Sequence, residues 1–279
     1  MIIDLEKENL TINAALFIAK ENDVLKLGNK TYNEQVEVSI KNLTFIGSEN
    51  TIIENDYHSG MIVNGKKIGT TTSATFRILE EAINTKIYNI TFKNNHVRIP
   101  GSGNGQAVAF KSEAFNTYIE NCKFISRQDT FYMDFGTNNI VKDSYIEGDI
   151  DFIFGSADCV FYNCKFHTVD TNKLAYFIAP STIITNNYGF IFYKCEFYTD
   201  FKCDLGRGWF PSKATSPVYP KTSIIDSKLI GDINPNLVLM HQVDLGKKYS
   251  LKINNSYLND NLLGNDNVEE ELKYIKELF

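Results

Sequence analysis

The 279-residue sequence holds no apolar run approaching the roughly 20 residues that a membrane-spanning helix requires. Positive charge is in short supply: 28 Lys and Arg stand against 34 Asp and Glu, a formal net charge of −6, which excludes a polycationic nucleic-acid binder. With only 6 Pro, most backbone donors are free for sheet ladders. The cysteines (Cys122, Cys159, Cys164, Cys195 and Cys203) form no CxxC pair, and an odd count of five cannot be fully bridged within one chain, so buried free thiols are expected rather than a zinc site or a disulfide framework. Met1 to Glu8 lack the basic, apolar and small-residue regions of a signal peptide, so the expectation is that export is absent or the signal has been removed. There is one Trp, but 20 Phe and 15 Tyr make the chain aromatic-rich and favour β structure. At 43% hydrophobic and 22% charged residues, this composition reads as a soluble, folded single domain spanning 1–279.

One pattern recurs: a β-rich stretch with Asn, Asp, Cys or Ser near its middle and an apolar residue two places later. Copies lie at Lys41–Phe45, Tyr88–Phe92, Glu120–Phe124, Lys142–Ile146, Tyr162–Phe166 and Tyr193–Phe197, with weaker ones at Ile225–Leu229 and Asn254–Leu258. Their last residues step by 47, 32, 22, 20, 31, 32 and 29. Unequal steps of this size fit a solenoid whose coils share a strand and differ in their loops. Within a copy, Cys164 and Phe166 alternate with Lys165, as in a strand with one buried face. Helical periodicity within each repeat is missing, and so is a leucine frame, which leaves an all-β, right-handed parallel β-helix. Short helices are expected to cover its open ends, one over about residues 11–21 (Ile12, Ala15, Leu16, Ala19 on one face, Thr11 as cap) and one over about 267–279 (Val268, Leu272, Ile275, Phe279).

Residues one coil apart lie on adjacent rungs about 4.7–4.9 Å apart. Gln106 and Gln128 are 22 residues apart, as are Asp129 and Asp151, and this equals the local step from Phe124 to Ile146. Two amides and two carboxylates are therefore expected on one face. Neighbouring carboxylates do not ionise independently, so one pKa should rise and the other fall. Arg207, in Leu205–Trp209, is the candidate cation to hold Asp151 ionised, which leaves Asp129 to carry a proton. The competing reading makes both aspartates turn formers or rungs of a polar ladder.

Gly105–Ala109, Gln128–Thr130, Asp151–Gly155 and Leu205–Trp209, in this order, resemble the signature blocks of the pectin methylesterases. The likeness extends upstream to Thr31–Gln35, Thr70 and Ser73–Thr75, and covers roughly residues 10 to 232. The resemblance implies a right-handed parallel β-helix and hydrolysis of galacturonate methyl esters in pectin or oligogalacturonates, with release of methanol. It implies Asp151 as nucleophile, Asp129 as acid and then base, Gln128 with Gln106 as oxyanion donors, and Arg207 as partner of the nucleophile. It further implies Trp209 as a platform for sugar rings, Thr70 and Gln106 as substrate contacts, and Tyr132 and Phe154 as aromatic lining. No metal or other cofactor is called for, and the expected partner is the polysaccharide substrate of a monomer, with neither nucleic acid nor membrane. The family analogy implies secretion; the missing signal keeps a cytoplasmic enzyme acting on imported oligogalacturonates as the alternative.

Three residues depart from the family pattern: Arg127 stands at the usual Tyr, Gly208 at the usual Pro, and Lys111 where an apolar or aromatic residue is common. They are expected to add positive charge near the cleft, loosen the segment holding Arg207, and favour substrates that carry free carboxylates. From Ile233 onward the chain lacks the family's tryptophan-containing tail. Rival readings are a non-catalytic polysaccharide-binding β-helix, an esterase or thioesterase on another acyl group, and a retaining glycosidase with carboxylates about 5 to 5.5 Å apart. There is no G-x-S-x-G elbow, and His58, His96, His167 and His241 fall in none of the blocks, which weakens a Ser-His-Asp site.

Overall fold

The computed structural model describes residues 1–98, 105–169, 174–211, 216–241 and 246–279. Short parallel strands stack coil upon coil into three sheets. The first runs from Ile2–Asp4 through Tyr118–Glu120 and Asn139–Lys142 to Ser250–Leu258, and the second from Thr31–Asn33 through Lys123–Ile125 and Tyr145–Gly148 to Lys228–Ile230. The third, which carries the site, orders Val36–Val38, Phe76–Ile78, Phe110–Ser112, Phe131–Met133, Ile150–Gly155, Ala175–Pro180, Cys203–Gly208 and Ile233–Leu239. The chain is a parallel β-helix.

The corner between the first two sheets explains the recurring motif. Asn89, Asn121, Asp143, Asn163, Lys194, Asp226 and Asn255 occupy it in successive coils with φ between +44° and +59°, a left-handed conformation that Asn and Asp tolerate better than other side-chain-bearing residues; Lys194 is the exception. Their side chains also bond from coil to coil, Asn121 Nδ2 donating to Asn89 Oδ1 at 2.7 Å. The next residue but two turns inward, so Phe92 stacks on Phe124 with centroids 5.2 Å apart, and Phe166 on Phe197 at 4.8 Å. Cys122, Cys164 and Cys195 turn inward too; all five cysteines are buried free thiols, and burial pushes the Cys122 thiol up to about 12.

Phe124 pairs with Ile146, Ile146 with Phe166 and Phe166 with Phe197, as the spacing predicts. The first copy of the repeat is misplaced by the sequence reading: Phe45 pairs with Ile87 in the first sheet, whereas Phe92 pairs with Ile53 in the second. The cause is a second corner that uses the same left-handed Asn. There Asn42 accepts from Asn84, which accepts from Asn116, so Lys41–Phe45 matches the motif while turning a different edge of the coil.

The N-terminal helix is Ile12–Ile18, shorter than expected; Thr11 caps it by accepting from the Ala14 N–H, and Ile12 and Ala15 are buried. The C-terminal helix, Glu269–Leu278, forms, but not as an end cap. Its Val268, Tyr274 and Ile275 pack on Val160, Ile191 and Ile225, which point outward from the first sheet, and the Tyr274 hydroxyl accepts from the Asn138 N–H. An outward apolar row needed a cover, and the helix runs along the flank to supply it. Phe279, assigned to the apolar face, is 57% exposed. No helix among the described residues is long and apolar enough to cross a membrane.

Candidate active site

Gln106 and Gln128 form an isolated parallel bridge on the edge of the third sheet, with Ala107 N–H donating to the Gln128 carbonyl at 3.0 Å. One residue on, Asp129 N–H donates to the Ile150 carbonyl at 3.1 Å, which sets Asp129 beside Asp151 on the next rung. Both aspartates have positive φ, +65° and +51°, a conformation seldom held by residues with side chains unless surrounding structure imposes it. Pairing between Ile150–Gly155 and Ala175–Pro180 shifts register between Ile150 and Ile153. Within that irregularity Phe152 enters the core against Phe177, while the Asp151 carboxylate meets Arg207 on the outside of the sheet.

Arg207 grips Asp151 with both faces of its fork: Nε donates to Oδ1 at 2.7 Å and Nη2 to Oδ2 at 2.6 Å. Its guanidinium lies over the Tyr176 ring at 4.2 Å. The strand carrying Arg207 is paired with Ile233–Leu239, Arg207 opposite Val238, so the segment that Gly208 is expected to loosen lies within a strand and not in a loop.

Asp129 and Asp151 are 8% and 7% exposed. Burial, then the Asp151 charge, holds Asp129 well above the usual carboxylate range. Burial also raises Asp151, against the opposing pull of Arg207. The expectation of one pKa up and one down is thus corrected: both rise, because desolvation acts on each, and Asp129 rises further, because no cation grips it.

Tyr132 and Phe154, paired across adjacent strands, stack at 4.1 Å, and Trp209 leans on Phe154 at 5.8 Å. With Asp134, Ser156 and Val218, Tyr132 and Trp209 line a cavity of about 170 Å³. Met240 packs against the same aromatic group. Thr70 precedes the short helical turn Thr71–Ser73, its carbonyl accepting from Ser73 Oγ at 2.7 Å; it is half-buried at the N-terminal side of the row.

Lys111 is not the cleft cation that the sequence suggested. It is 1% exposed and enclosed by Glu113 at 2.8 Å, Asp134 at 3.3 Å, Thr71 Oγ1 and the face of Tyr132. A lysine so buried persists because carboxylates surround it. Arg127 is exposed.

The sequence reading missed three residues: Tyr176 under Arg207, and the pair Arg98–Asp149 beside Gln128. Only the position of Asp149, two residues before Asp151, signalled a connection.

The Pectinesterase family model matches residues 4–246. Pectinesterase B of Dickeya dadantii is 35% identical over 164 residues, 52% of this chain and 37% of that one. Probable pectinesterase 50 of Arabidopsis thaliana is 28% identical over 220 residues, 78% of this chain and 57% of that one. The chain thus spans about half the length of the curated relatives it matches, or less. Among solved structures, the pectin methylesterase from Yersinia enterocolitica superposes with a TM-score of 0.78 at 25% identity over 94% of this chain and 95% of that one. A pectin methylesterase in complex with hexasaccharide VII gives 0.79 at 21% identity over 98% and 94%, a likeness of fold. The ordered blocks, the coil-by-coil register and the match over residues 4–246 converge: this chain belongs to the pectinesterase family.

Proposed function

We propose that this protein hydrolyses the methyl esters of galacturonate residues in pectin or its oligomers. The observation that carries the reading is the pairing of a carboxylate held by a two-pronged guanidinium with a second, buried carboxyl on the adjacent rung, which no cation among the described residues grips. Asp151, fixed by Arg207, attacks the ester carbonyl. The negative oxygen that develops is met by N–H groups of Gln128 and Gln106, neutral donors that bring no counter-charge to compete for the nucleophile. As the C–O bond to methoxide breaks, Asp129 delivers its proton and methanol leaves, giving a mixed anhydride between Asp151 and the galacturonate carboxyl. Asp129, now a carboxylate, takes a proton from water, whose oxygen attacks the anhydride; the galacturonate acid departs and both aspartates return to their starting states. Tyr132, Phe154 and Trp209 offer ring faces to sugars beside this centre, and Thr70 offers a further contact to the chain. Action on pectin places the working enzyme outside the cell, and a monomer suffices, since every proposed group comes from one chain.

The test is methanol release from highly methylated pectin beside an Asp151→Ala variant and a reducing-end assay. Methanol that disappears in the variant, with no new reducing ends, supports the esterase. New reducing ends would support chain cleavage instead. Binding of pectin without methanol would leave a polysaccharide-binding module.

A further inference from the structure

We propose that Arg98 is a positioning residue that fixes which end of the Gln128 amide faces the reacting ester; this rests on the esterase reading above. A glutamine side chain has one accepting and one donating end of nearly equal size, and only the donating end can stabilise an oxyanion. The structure supplies a device that tells them apart. Arg98 Nη2 donates to Gln128 Oε1 at 3.2 Å and, with the same nitrogen, to Asp149 Oδ1 at 2.9 Å. A guanidinium has hydrogens and no acceptor, so the amide oxygen must turn toward Arg98 and the amide nitrogen away from it.

Asp149 completes the device. It is 3% exposed, and its Oδ1 also accepts from the Ile150 N–H at 2.6 Å, so Arg98 is tied to the backbone that leads into Asp151. Its charge offsets that of Arg98 and lets the guanidinium orient the amide without adding a net cation beside the two aspartates. Gly105 leaves the space: a methyl group there would stand 2.5 Å from Gln128 Oε1 and 2.6 Å from Arg98 Nε. Arg98 therefore acts through Gln128, and its effect should vanish when Gln128 has no amide to orient.

The experiment is a double-mutant cycle on methanol release from highly methylated pectin, with kcat and KM resolved for the wild type, Arg98→Met, Gln128→Ala and the double variant, and with Arg98→Lys alongside. Removing a whole oxyanion donor, as in Gln128→Ala, should cost about 10²–10³ in kcat. Arg98→Met should cost less, about tenfold, with KM within about twofold, because the amide is present but free to turn. In the Gln128→Ala background the same change should alter kcat by less than about twofold. Arg98→Lys, a donor that also lacks an acceptor, should recover most of the loss. An equal loss from Arg98→Met in both backgrounds would show a merely structural role and overturn the proposal, as would an unchanged kcat in an active enzyme. Should Arg98→Met fail to fold, Arg98→Lys decides: kcat near the wild type supports the proposal, and a loss as deep as that of Gln128→Ala refutes it. No methanol from the wild type would be the failure of the esterase reading itself, and the proposal falls with it.

Discussion

Replacing Arg207 by Met tests whether a buried, paired carboxylate is what drives the reaction. Arg207 and Asp151 side chains are 20% and 10% exposed and share two charge-assisted hydrogen bonds, at 2.7 and 2.6 Å. Removing one member of such a pair costs about 3–5 kcal/mol while the other stays charged. Asp151 can escape that cost by taking up a proton, and a protonated carboxyl is no nucleophile. At about 1.4 kcal/mol per factor of ten, kcat near neutral pH should fall by roughly 10²–10⁴. The sign with pH follows from Asp151, whose folded-state pKa is already raised by burial and loses its main opposing influence in the variant. A carboxyl with a folded pKa above its unfolded value loses stability as pH rises from the unfolded value through the folded one. The Tm deficit of Arg207→Met relative to the wild type should therefore be small near pH 4 and widen toward pH 8. The acid limb of its residual activity should move to higher pH. Thermal melts across that range, paired with pH–rate profiles of methanol release, make the measurement. A Tm deficit constant with pH, or a kcat within tenfold of wild type, would refute the argument.

Asp129→Asn should lower kcat by about 10²–10⁴ through loss of the proton donor, yet raise Tm at pH 8, an advantage that shrinks toward pH 4, because burial and Asp151 disfavour the Asp129 charge; thermal melts beside the methanol assay show both. Trp209→Ala should raise KM for pectin about tenfold with kcat little changed, since the ring belongs to the aromatic group with Phe154 and makes no hydrogen bond to either reacting carboxylate among the described residues; a loss confined to kcat would contradict this. Lys111→Met leaves Glu113 and Asp134 facing each other around a vacated charge and should cost about 3 kcal/mol in a denaturant titration. Truncation before residue 267 should lower stability by about 5 kcal/mol or more by uncovering Val160, Ile191 and Ile225. It should leave kcat within about threefold below the new midpoint, since the helix lies on the first sheet and the site on the third.

The solenoid was legible because two requirements leave marks at nearly every coil: a left-handed corner that selects Asn or Asp, with Lys194 the exception, and an inward position that selects a large apolar side chain. The same marks misled at Lys41–Phe45, since another corner makes the same demand and a local motif does not say which edge it turns. The C-terminal helix was legible as a helix from its apolar period, but the period says only that one face is covered. What covers it depended on Val160, Ile191 and Ile225 facing outward in strands far away in sequence. In the site, the 22-residue intervals located Gln106, Gln128, Asp129 and Asp151, because coil length converts sequence distance into a rung. Lys111, Arg98 and Asp149 escaped. Their partners come from outside that interval, and a charge in sequence does not disclose whether it faces water or another charge.

The Gln106–Gln128 bridge has a further consequence for how this molecule tolerates change. The alignment of the reacting groups is a matter of counting: main-chain bonds hold Ala107 to Gln128 and Asp129 to Ile150, so the spacing is set by the number of residues per turn of the coil. Substituting a core phenylalanine strains the interior and leaves that count intact. Inserting one residue between Asp129 and Asp151 would slide every later side chain by one position and turn the nucleophile to the opposite face. The same insertion at the Asn64–Gly65 hairpin tip, between Ile62–Val63 and Lys66–Lys67, would be absorbed without consequence for the chemistry. Length variation in this lineage is therefore predicted to be forbidden between 106 and 151 on the corner-to-corner path and free at the tips, a tally kept by the backbone alone.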